Sequence, residues 1–430
     1  MTEKNILIIG GGAAGMFAAM QVAESLQGVE GVKVSLFEPN DRMGKKLRIT
    51  GKGRCNLTND CDRDTFLSNV PTNPRFLYAA FDALSPQDVM SIFEGLGVPL
   101  KVERGHRVFP VSDNAHDIAD AMVRRCRALS VEIVHDKVTA LLTQPVENPA
   151  PKSPTQAITG VMCGQKMYPA DAVILCTGGC SYPTTGSDGN GYKLASQVGH
   201  TIVPPIPSLV PLVCAGRLCP DMMGLSLRNV RLEVYNKAKK KVIFEDFGEM
   251  LFTHFGVTGP LILSASAHMP DLAAGKYELR INLKPALTEQ ELDARILSDF
   301  KKYANRDFIN ALSDLLPLKA IQPIITISGI DPRKKVNAIT KEERKALVDA
   351  IRCMTLEPVT HRPIKEAIVT KGGVSVKEVD PGHMASKKCQ GLYFAGEVLD
   401  VDAYTGGFNL QIAFSTAHLA ALSVVDDIRY

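Results

Sequence analysis

Three glycines near the start of the chain have the spacing that binds the phosphates of a dinucleotide. Gly10, Gly12 and Gly15 form the pattern G-x-G-x-x-G within GGGAAG. The apolar run Asn5–Ile9 before them suits a buried parallel strand, and the Ala-rich stretch Met16–Leu26 after them has helix-compatible spacing. In this context the glycines permit a tight turn, close approach to a pyrophosphate and close helix–strand packing. The pattern predicts a phosphate-binding loop at a helix N-terminus.

An acidic residue follows where a dinucleotide site needs one. Glu38 ends the next strand-like stretch, Lys33–Glu38, 23 residues after Gly15. An acid at this position can bind the hydroxyls of the adenosine ribose. Strand, glycines, helix, strand and acid together indicate dinucleotide binding rather than an incidental glycine turn. These residues alone do not distinguish FAD from NAD.

A basic, glycine-containing segment comes next, GKKLRITGKGRCNLTN at residues 44–59. Placed after Glu38, it can cover a pyrophosphate and a ribityl chain. A solvated basic loop is the alternative, and composition does not decide between the two. The cations of the segment are Lys45, Lys46, Arg48, Lys52 and Arg54.

Other candidate groups give weaker signals. The ten cysteines include no C-x-x-C pair, the spacing typical of zinc knuckles and thioredoxin-like sites. Cys176 and Cys180 stand at C-x-x-x-C spacing, and most such cysteines are buried and inert. No partner carboxylate is evident for His254, His361 or His383, so we interpret them as structural. We assign no catalytic acid or base and no metal ligand.

Composition is typical of a globular enzyme. The 430 residues carry 49 Lys and Arg against 46 Asp and Glu, a net charge of +3. This balance gives no footprint for nucleic acid or an anionic membrane, and we interpret the basic run 237–241 as a solvated hairpin end. The apolar stretches fall short of the roughly 20 residues that span a membrane, and the N-terminus has no secretory pattern. We expect a cytoplasmic protein without nucleic-acid or membrane partners.

The elements that position the candidate residues fall into three segments. Residues 1–197 carry the βαβ pattern, helical stretches at 74–96 and 115–129, and strand-like stretches at 131–142 and 171–176. Residues 198–356 change character and predict an inserted cap with a small β-barrel-like part and helices. Residues 357–430 return to the first domain and end in a long helix. The predicted fold class is α/β, with a Rossmann-like domain built from both chain ends.

Several long motifs, in one order, resemble a known family. The segment at 44–59 is similar to the signature G-[RK]-K-x-x-x-T-G-x-G-R-C-N-x-T-N of the HI0933-like flavoproteins, which include BaiN- and YhiN-type proteins. The resemblance covers essentially the whole chain. Mild departures from the family pattern are Asn190, Ala403 and Ala417. The other matching segments are TGGCSYPTTGSDGNGY at 177–192, LFTHFGVTGPLIL at 251–263, AIVTKGGVSVKEVD at 367–380 and GLYFAGEVLDVDAYTGGFNLQIA at 391–413.

The members of this family bind FAD, so the resemblance implies FAD and a set of residues around it. Those at the pyrophosphate and the adenosine ribose are Gly10, Gly12, Ala13, Ala14, Gly15 and Glu38. Those along the phosphates and the ribityl chain are Lys46, Arg54, Cys55, Asn56, Gly396, Glu397 and Asp400. Val138 is expected to contact adenine, and Thr177 and Gly178 to lie beside the cofactor. Those at the pyrimidine edge of the flavin, where unpaired helix N–H groups favour a negative charge, are Gly407, Phe408, Asn409, Leu410 and Gln411.

The chemistry implied by the resemblance is an FAD-dependent oxidoreductase that transfers hydride at flavin N5. One branch of the family reduces an activated C=C bond, as in bile-acid-type enones, and another oxidises amines of the aminoacetone type. A third alternative, a flavin-dependent RNA-modifying or regulatory protein, requires a basic groove on the cap, which the overall charge does not indicate. NAD(P)H stays open as the electron donor. We expect a small-molecule substrate between cap and flavin.

Overall fold

The structure is a computed structural model that describes residues 3–151 and 153–429. The described chain divides into two units. Unit 1 combines Met1–Pro207 with Ala367–Tyr430, and unit 2 is the intervening segment Ser208–Glu366. Each unit has a hydrophobic core of its own. Two segments that are distant in the chain therefore build unit 1.

The first segment of unit 1 contains most of its strands and helices. Its strands are β1 (Lys4–Ile9), β2 (Val32–Phe37), β3 (Thr58–Asn59), β4 (Leu100–Glu103), β5 (Arg107–Pro110), β6 (Glu132–Val134), β7 (Ala140–Pro145), β8 (Gln156–Cys163), β9 (Lys166–Pro169), β10 (Ala172–Leu175) and β11 (Ile202–Ser208). Its helices are α1 (Ala13–Ser25), α2 (Lys45–Ile49), α3 (Arg63–Ser68), α4 (Tyr78–Ala83), α5 (Pro86–Gly95), α6 (Ala115–Ala128) and α7 (Asn190–Gln197).

Unit 2 and the second segment of unit 1 follow. The strands of unit 2 are β12 (Leu212–Cys214), β13 (Ser226–Asn236), β14 (Lys241–Phe252), β15 (Gly256–Thr258), β16 (Tyr277–Asn282), β17 (Met354–Leu356) and β18 (Pro358–His361). Its helices are α8 (Leu218–Asp221), α9 (Pro260–Ser266), α10 (Glu289–Lys302), α11 (Leu318–Ser328) and α12 (Lys341–Arg352). Unit 1 then resumes with β19 (Val369–Val374), β20 (Cys389–Gln390), β21 (Leu392–Phe394) and α13 (Phe408–Arg429).

A parallel sheet of buried strands forms the centre of unit 1. Among the described residues its order is β21-β10-β1-β2-β6, and all neighbours in it are parallel. Strands covered on both faces are continuous apolar runs, and all four residues of β10 are buried. Parallel strands end at one edge of the sheet, which is where such folds bind ligands. This sheet confirms the predicted α/β class with a Rossmann-like domain.

Helices α1 and α13 pack against each other in the core of unit 1. The ring centroids of Phe17 and Phe414 lie 5.0 Å apart. Buried alanines such as Ala19 and Ala420 have short side chains, which allow the two helices to pack closely. Within the described residues, α13 is the one helix long and apolar enough to cross a membrane, and 78% of that apolar window is buried inside the protein. Its apolar character is therefore explained by packing in the core.

Unit 2 is built on an antiparallel sheet. Its order over the described chain is β17-β16-β13-β14-β15-β12-β18, and its neighbours are antiparallel. Glu357 alone separates the two edge strands β17 and β18, so the sheet curls towards a barrel. Helices α10 and α12 each begin at a capping box, with Thr288 and Thr340 as the capping residues. The basic run 237–241 lies at the turn between β13 and β14, which confirms the predicted hairpin end.

Two local expectations differ from the structure. The stretch 131–142, expected as one strand, contains β6 and β7 with Val138 in the connection between them. The carbonyl oxygen of Val138 accepts a hydrogen bond from the side chain of Asn190 at 2.9 Å rather than from a neighbouring strand. The stretch 74–96, expected to be helical, breaks before Pro86, where Ser85 and Asp88 form a capping box that starts a new helix.

His200 is a buried histidine in unit 1. Its Nε2 lies 2.7 Å from Oγ of Ser386, and its Nδ1 lies 3.5 Å from Oε2 of Glu378. Burial lowers the pKa of His200 from 6.5 to about 4, although Glu378 partly opposes this shift. Between these pH values the unfolded chain binds a proton at this position that the folded chain does not. The stability of unit 1 therefore rises with pH across this window.

We expect His200→Gln to weaken the pH dependence of stability. Between pH 6.5 and about 4, the free energy of unfolding of the natural chain should fall by about 3 kcal/mol more than that of the variant. Urea titrations at the two pH values measure the difference. His106→Gln, at an exposed histidine of the same unit, is the control. Equal losses in the natural chain and His200→Gln would contradict the assignment.

Candidate cofactor site

The carboxyl edge of the parallel sheet collects residues that the sequence places far apart. β1 leads into Gly10, β2 into Glu38, β10 into Thr177, and β21 into Gly396. These strands are neighbours in the sheet, so the segments that follow them are adjacent. The crevice outside the carboxyl ends of such strands is where α/β folds bind nucleotides.

The glycine loop has space for a ligand at Gly12. A β-carbon at Gly10 would lie 2.5 Å from the carbonyl oxygen of Cys176, and one at Gly15 would overlap the carbonyl oxygen of Gly10. Protein packing thus accounts for these two glycines. A β-carbon at Gly12 would meet no atom within 4 Å. Helix α1 begins at the next residue, Ala13, and no side chain caps it, so the loop fits a pyrophosphate.

Glu38, which follows β2, accepts a hydrogen bond from this loop. Its side chain is nearly buried, with the residue 8% exposed. Oε2 accepts a hydrogen bond from the N–H of Gly11 at 2.9 Å, and Oε1 accepts from the N–H and the amide of Asn40 at 2.9 and 2.6 Å. A carboxylate has about four acceptor positions, so one remains for a ribose hydroxyl.

Lys46 and Glu397 meet in a half-buried polar cluster. Nζ of Lys46 lies 2.7 Å from Oε2 of Glu397 and donates to Oγ of Ser181 at 2.6 Å. Oε1 of Glu397 accepts from Oγ of Ser181 at 3.1 Å and from the N–H of Thr370 at 2.8 Å. The cluster joins four segments of unit 1. The ammonium of Lys46 uses two of its three donors in the cluster, so one remains for a further acceptor.

Hydrogen bonds join the basic segment at residues 44–59 to the start of α13. With the side-chain amide of Asn56 oriented to satisfy both of its ends, Oδ1 accepts from the N–H of Gly407 at 3.0 Å, and Nδ2 donates to the carbonyl of Thr58 at 3.2 Å. The hydroxyl of Thr58 donates to Oε1 of Gln411 at 2.6 Å. A β-carbon at Gly407 would overlap the backbone of Thr58. Asn56, Gly407 and Gln411 are therefore close neighbours, although about 350 residues separate them.

The side chains at the start of α13 form hydrogen bonds or pack within the protein. The fully buried amide of Gln411 also donates to the carbonyl of Leu84 at 3.0 Å. The amide of Asn409 accepts from the N–H of Ala403 at 2.9 Å and donates to its carbonyl at 2.7 Å. Phe408 is buried, and Leu410 is partly buried. What this helix offers a ligand is the set of backbone N–H groups of its first turn, which have no intrahelical acceptor.

Two buried hydroxyls near the same edge have no partner in the described chain, Oγ1 of Thr177 and the phenol of Tyr192. Ligands or waters commonly complete such groups. A β-carbon at Gly178 would approach Oγ of Ser187 to 3.1 Å, which shows how closely the backbone is packed here. Burial raises the pKa of Tyr192, and the negative charge of Glu397 adds to the shift.

Asp400 and Gly396 lie after β21. The side chain of Asn73 donates to the carbonyl of Asp400 at 2.7 Å and to its Oδ2 at 3.1 Å. Burial raises the pKa of Asp400, although Asn73 opposes the shift. Gly396 has φ +75°, and a β-carbon there would lie 3.0 Å from that of Ala14 in the first turn of α1. The side chain of Asn73 thus holds Asp400 in place, and Gly396 allows close approach to α1.

Two residues of the basic loop have surroundings that differ from a cofactor contact. The Arg54 guanidinium lies over the ring of Phe109 at 4.2 Å, and its NH2 lies 2.5 Å from carboxylate oxygens of Glu103 and Asp113. Its charge is thus already matched by two acids. Cys55 is fully buried, and burial raises the pKa of its thiol to about 12. These side chains do not join the cluster around Glu397, and their roles stay predictions.

The cysteines and histidines that gave weaker signals differ in how deeply they are buried. Burial raises the pKa of the thiols of Cys176 and Cys180. Burial also lowers the pKa of His361. His254 and His383 are exposed instead, and Nδ1 of His383 lies 3.5 Å from Oδ1 of Asp380, a carboxylate that was not evident as its partner from the sequence. Within residues 3–151 and 153–429, no group of three His, Cys, Asp or Glu side chains is arranged to hold a metal ion.

Several residues that hold the site together were not among the candidates from the sequence. Ser181 and Thr370 lie inside the motifs TGGCSYP and AIVTKGG, and those motifs are the signal that points to them. Asn40 and Asn73 carry no comparable signal, because a single asparagine in a loop has many possible roles. Their contacts with Glu38 and Asp400 are visible only in three dimensions.

Comparison with known proteins decides the family. A family model described as the HI0933-like protein Rossmann domain matches residues 4–423. The chain belongs to the HI0933-like family. The predicted resemblance is confirmed, and so is the assignment to the FAD-dependent oxidoreductases.

Two curated relatives and one solved structure extend over this HI0933-like chain. The 3-dehydro-bile acid delta(4,6)-reductase of Clostridium scindens is 30% identical over 98% of this chain and 99% of its own length. The ribosomal RNA dihydrouridine synthase of Escherichia coli is 28% identical over 99% of both chains. The 3-ketosteroid delta1-dehydrogenase of Sterolibacterium denitrificans covers 99% of this chain and 100% of its own, at 13% identity and a TM-score of 0.52. This last likeness shows a shared fold.

Proposed function

We propose that the chain reduces a carbon–carbon double bond conjugated to a carbonyl group. The names of its two curated relatives carry this proposal. A delta(4,6)-reductase of a 3-dehydro bile acid acts on double bonds conjugated to a ring ketone. A dihydrouridine synthase saturates the C5=C6 bond of uracil, which is conjugated to the carbonyl at C4. The substrates differ greatly in size, but in both the reacting atoms are a C=C bond conjugated to a carbonyl group.

In this proposal the residues of unit 1 would serve the chemistry by holding the cofactor. FAD bound at the carboxyl edge supplies hydride at N5. Glu38 would hold the ribose, the open backbone at Gly12 would face the pyrophosphate, and Lys46 would match its charge. The first-turn N–H groups of α13 would stabilise negative charge on the flavin ring, because they are uncapped donors at the positive end of a helix. We include NAD(P)H as the electron donor in this proposal.

Anaerobic mixing of the reduced holoprotein with candidate substrates tests the proposal. We expect a steroid 4-en-3-one or a uridine-containing RNA to reoxidise the flavin at least about 10-fold faster than its saturated counterpart, a difference of about 1.4 kcal/mol in barrier. The saturated steroid ketone and an RNA of the same sequence that carries dihydrouridine in place of uridine are the matched controls, because each lacks only the reacting double bond. Reduction of the oxidised flavin by aminoacetone, with both conjugated substrates inert, would replace this proposal by amine oxidation.

A further inference from the structure

The charges of the chain are unevenly divided between the units. Unit 2 carries 24 Lys and Arg against 19 Asp and Glu, whereas unit 1 carries 25 against 27. The balance of the whole chain, which argued against a polyanionic partner, therefore conceals a positive excess in unit 2. Residues 301–335 concentrate this excess, with seven Lys and Arg against three Asp.

An open cavity lies in this basic segment. Its volume is about 570 Å³. Its lining includes the cations Arg306 and Lys335, the acid Asp307, the polar side chains of Asn310 and Ser313, and Leu318 at the start of α11. Leu318 is 79% exposed, so its apolar side chain is accessible at the mouth of the cavity. We call these six residues the basic cavity.

Part of the positive charge around the basic cavity is not neutralised. Asp314 pairs with Lys302, and Asp307 pairs with Lys335, each at 2.7 Å. These pairs occupy two of the three acids of the segment. Over the described residues, the cations of this segment without an ion pair are Lys301, Arg306, Lys319 and Arg333.

Arg306 is positioned for recognition of phosphate and base. Its guanidinium carbon lies 4.5 Å from the centroid of the Tyr303 ring. Stacking of this kind restricts the planar group, so less freedom is lost when it binds. A guanidinium can bind a phosphate through two parallel hydrogen bonds, and arginine planes and aromatic rings also stack on unpaired bases.

We infer that the basic cavity is a docking site for the phosphodiester backbone of RNA. The inference rests on the proposed function, in which uracil within RNA is one of the two substrate types. Dispersed cations on an open surface suit an extended polyanion. A small conjugated ketone instead needs a largely enclosed apolar pocket. The charge of unit 2 therefore favours RNA as the partner of this surface.

Charge reversal at the basic cavity tests the inference on the FAD-loaded protein. The double variant Arg306→Glu with Arg333→Glu changes one lining cation and one cation that stands two residues before Lys335 in the chain. It is compared with Lys237→Glu and Lys239→Glu, which make the same change in net charge at the exposed hairpin end of unit 2. The probe is a fluorescent, uridine-containing single-stranded RNA, titrated by anisotropy at several salt concentrations. We expect the double variant to lose affinity at least about 10-fold and its salt slope to fall by about 1.4, because each phosphate contact on a single strand contributes about 0.7. The control pair should stay within about twofold of the natural chain.

Three results separate the outcomes. Equal RNA affinities for the double variant and the control pair would overturn the docking site. Unchanged RNA binding with a raised KM for NADH or NADPH would assign the cavity to a dinucleotide and also overturn it. If the double variant alone loses RNA binding but the natural holoprotein reduces no conjugated double bond, the docking site stands and the proposed function fails. FAD content and thermal unfolding midpoints equal to those of the natural chain establish that both variants are folded.

Discussion

We expect Gly12→Ala to lower the affinity of the apoprotein for FAD by at least about 100-fold while leaving its fold intact. Gly12 has φ −81°, which alanine adopts freely, and its β-carbon would meet no protein atom within 4 Å. The free energy of unfolding of the apoprotein should therefore change by no more than about 1 kcal/mol. The added methyl group would occupy space that the pyrophosphate needs, at a cost of about 3 kcal/mol in binding.

Titration of the apoprotein with FAD, followed by flavin fluorescence, measures this loss. Gly95→Ala is the matched control, because this exposed helical glycine also meets no atom within 4 Å of an added β-carbon. The control should bind FAD like the natural chain. If Gly12→Ala also binds FAD with unchanged affinity, the pyrophosphate does not lie over this loop.

The second expected result concerns Gly15, where the same substitution should lower the stability of the apoprotein rather than only its affinity for FAD. We expect Gly15→Ala to destabilise the apoprotein by about 3 kcal/mol or more, before any cofactor is added. A β-carbon at this position would overlap the carbonyl oxygen of Gly10 and would lie 3.3 Å from the β-carbon of Cys176. The backbone of one element would then have to move away from another. Loss of FAD binding would follow as a consequence.

Urea unfolding of the cofactor-free variants distinguishes the two glycines. Gly12→Ala serves as the control for Gly15→Ala, because both add one methyl group to the same loop. The two variants should differ: Gly15→Ala should lose stability as the apoprotein, and Gly12→Ala should lose affinity for FAD. A Gly15→Ala apoprotein within about 1 kcal/mol of the natural chain would show that helix and strand do not approach as closely as the structure places them.

The sequence predicts the parts of the fold that depend on local pattern. The strand, glycine and helix order around Gly12 has a strict period and spacing, so β1, the loop and α1 lie where the pattern indicates. Position at the carboxyl end of a parallel strand likewise follows from topology for Glu38 and Thr177. These residues lie along one edge because neighbouring parallel strands end together.

Contacts between distant segments could not be predicted in the same way. Nothing in the residue types shows that Asn56 binds Gly407, or that Lys46 pairs with Glu397, because a loop amide or a surface lysine has many possible partners. Arg54 illustrates the opposite case. It belongs to a motif that suggested phosphate, yet two acids and Phe109 surround its guanidinium. Net charge averages over two units of opposite sign, so it does not describe either unit by itself.

Single-turnover product analysis tests the central claim most directly. The holoprotein is reduced with one equivalent of electron pairs, mixed without oxygen with a conjugated substrate, and analysed for both flavin state and product. We predict that the cofactor released afterwards is FAD, and that one saturated product molecule forms for each reduced FAD that is reoxidised. Flavin that stays reduced in the presence of both the steroid enone and the uridine-containing RNA, with no saturated product from either, would contradict the account.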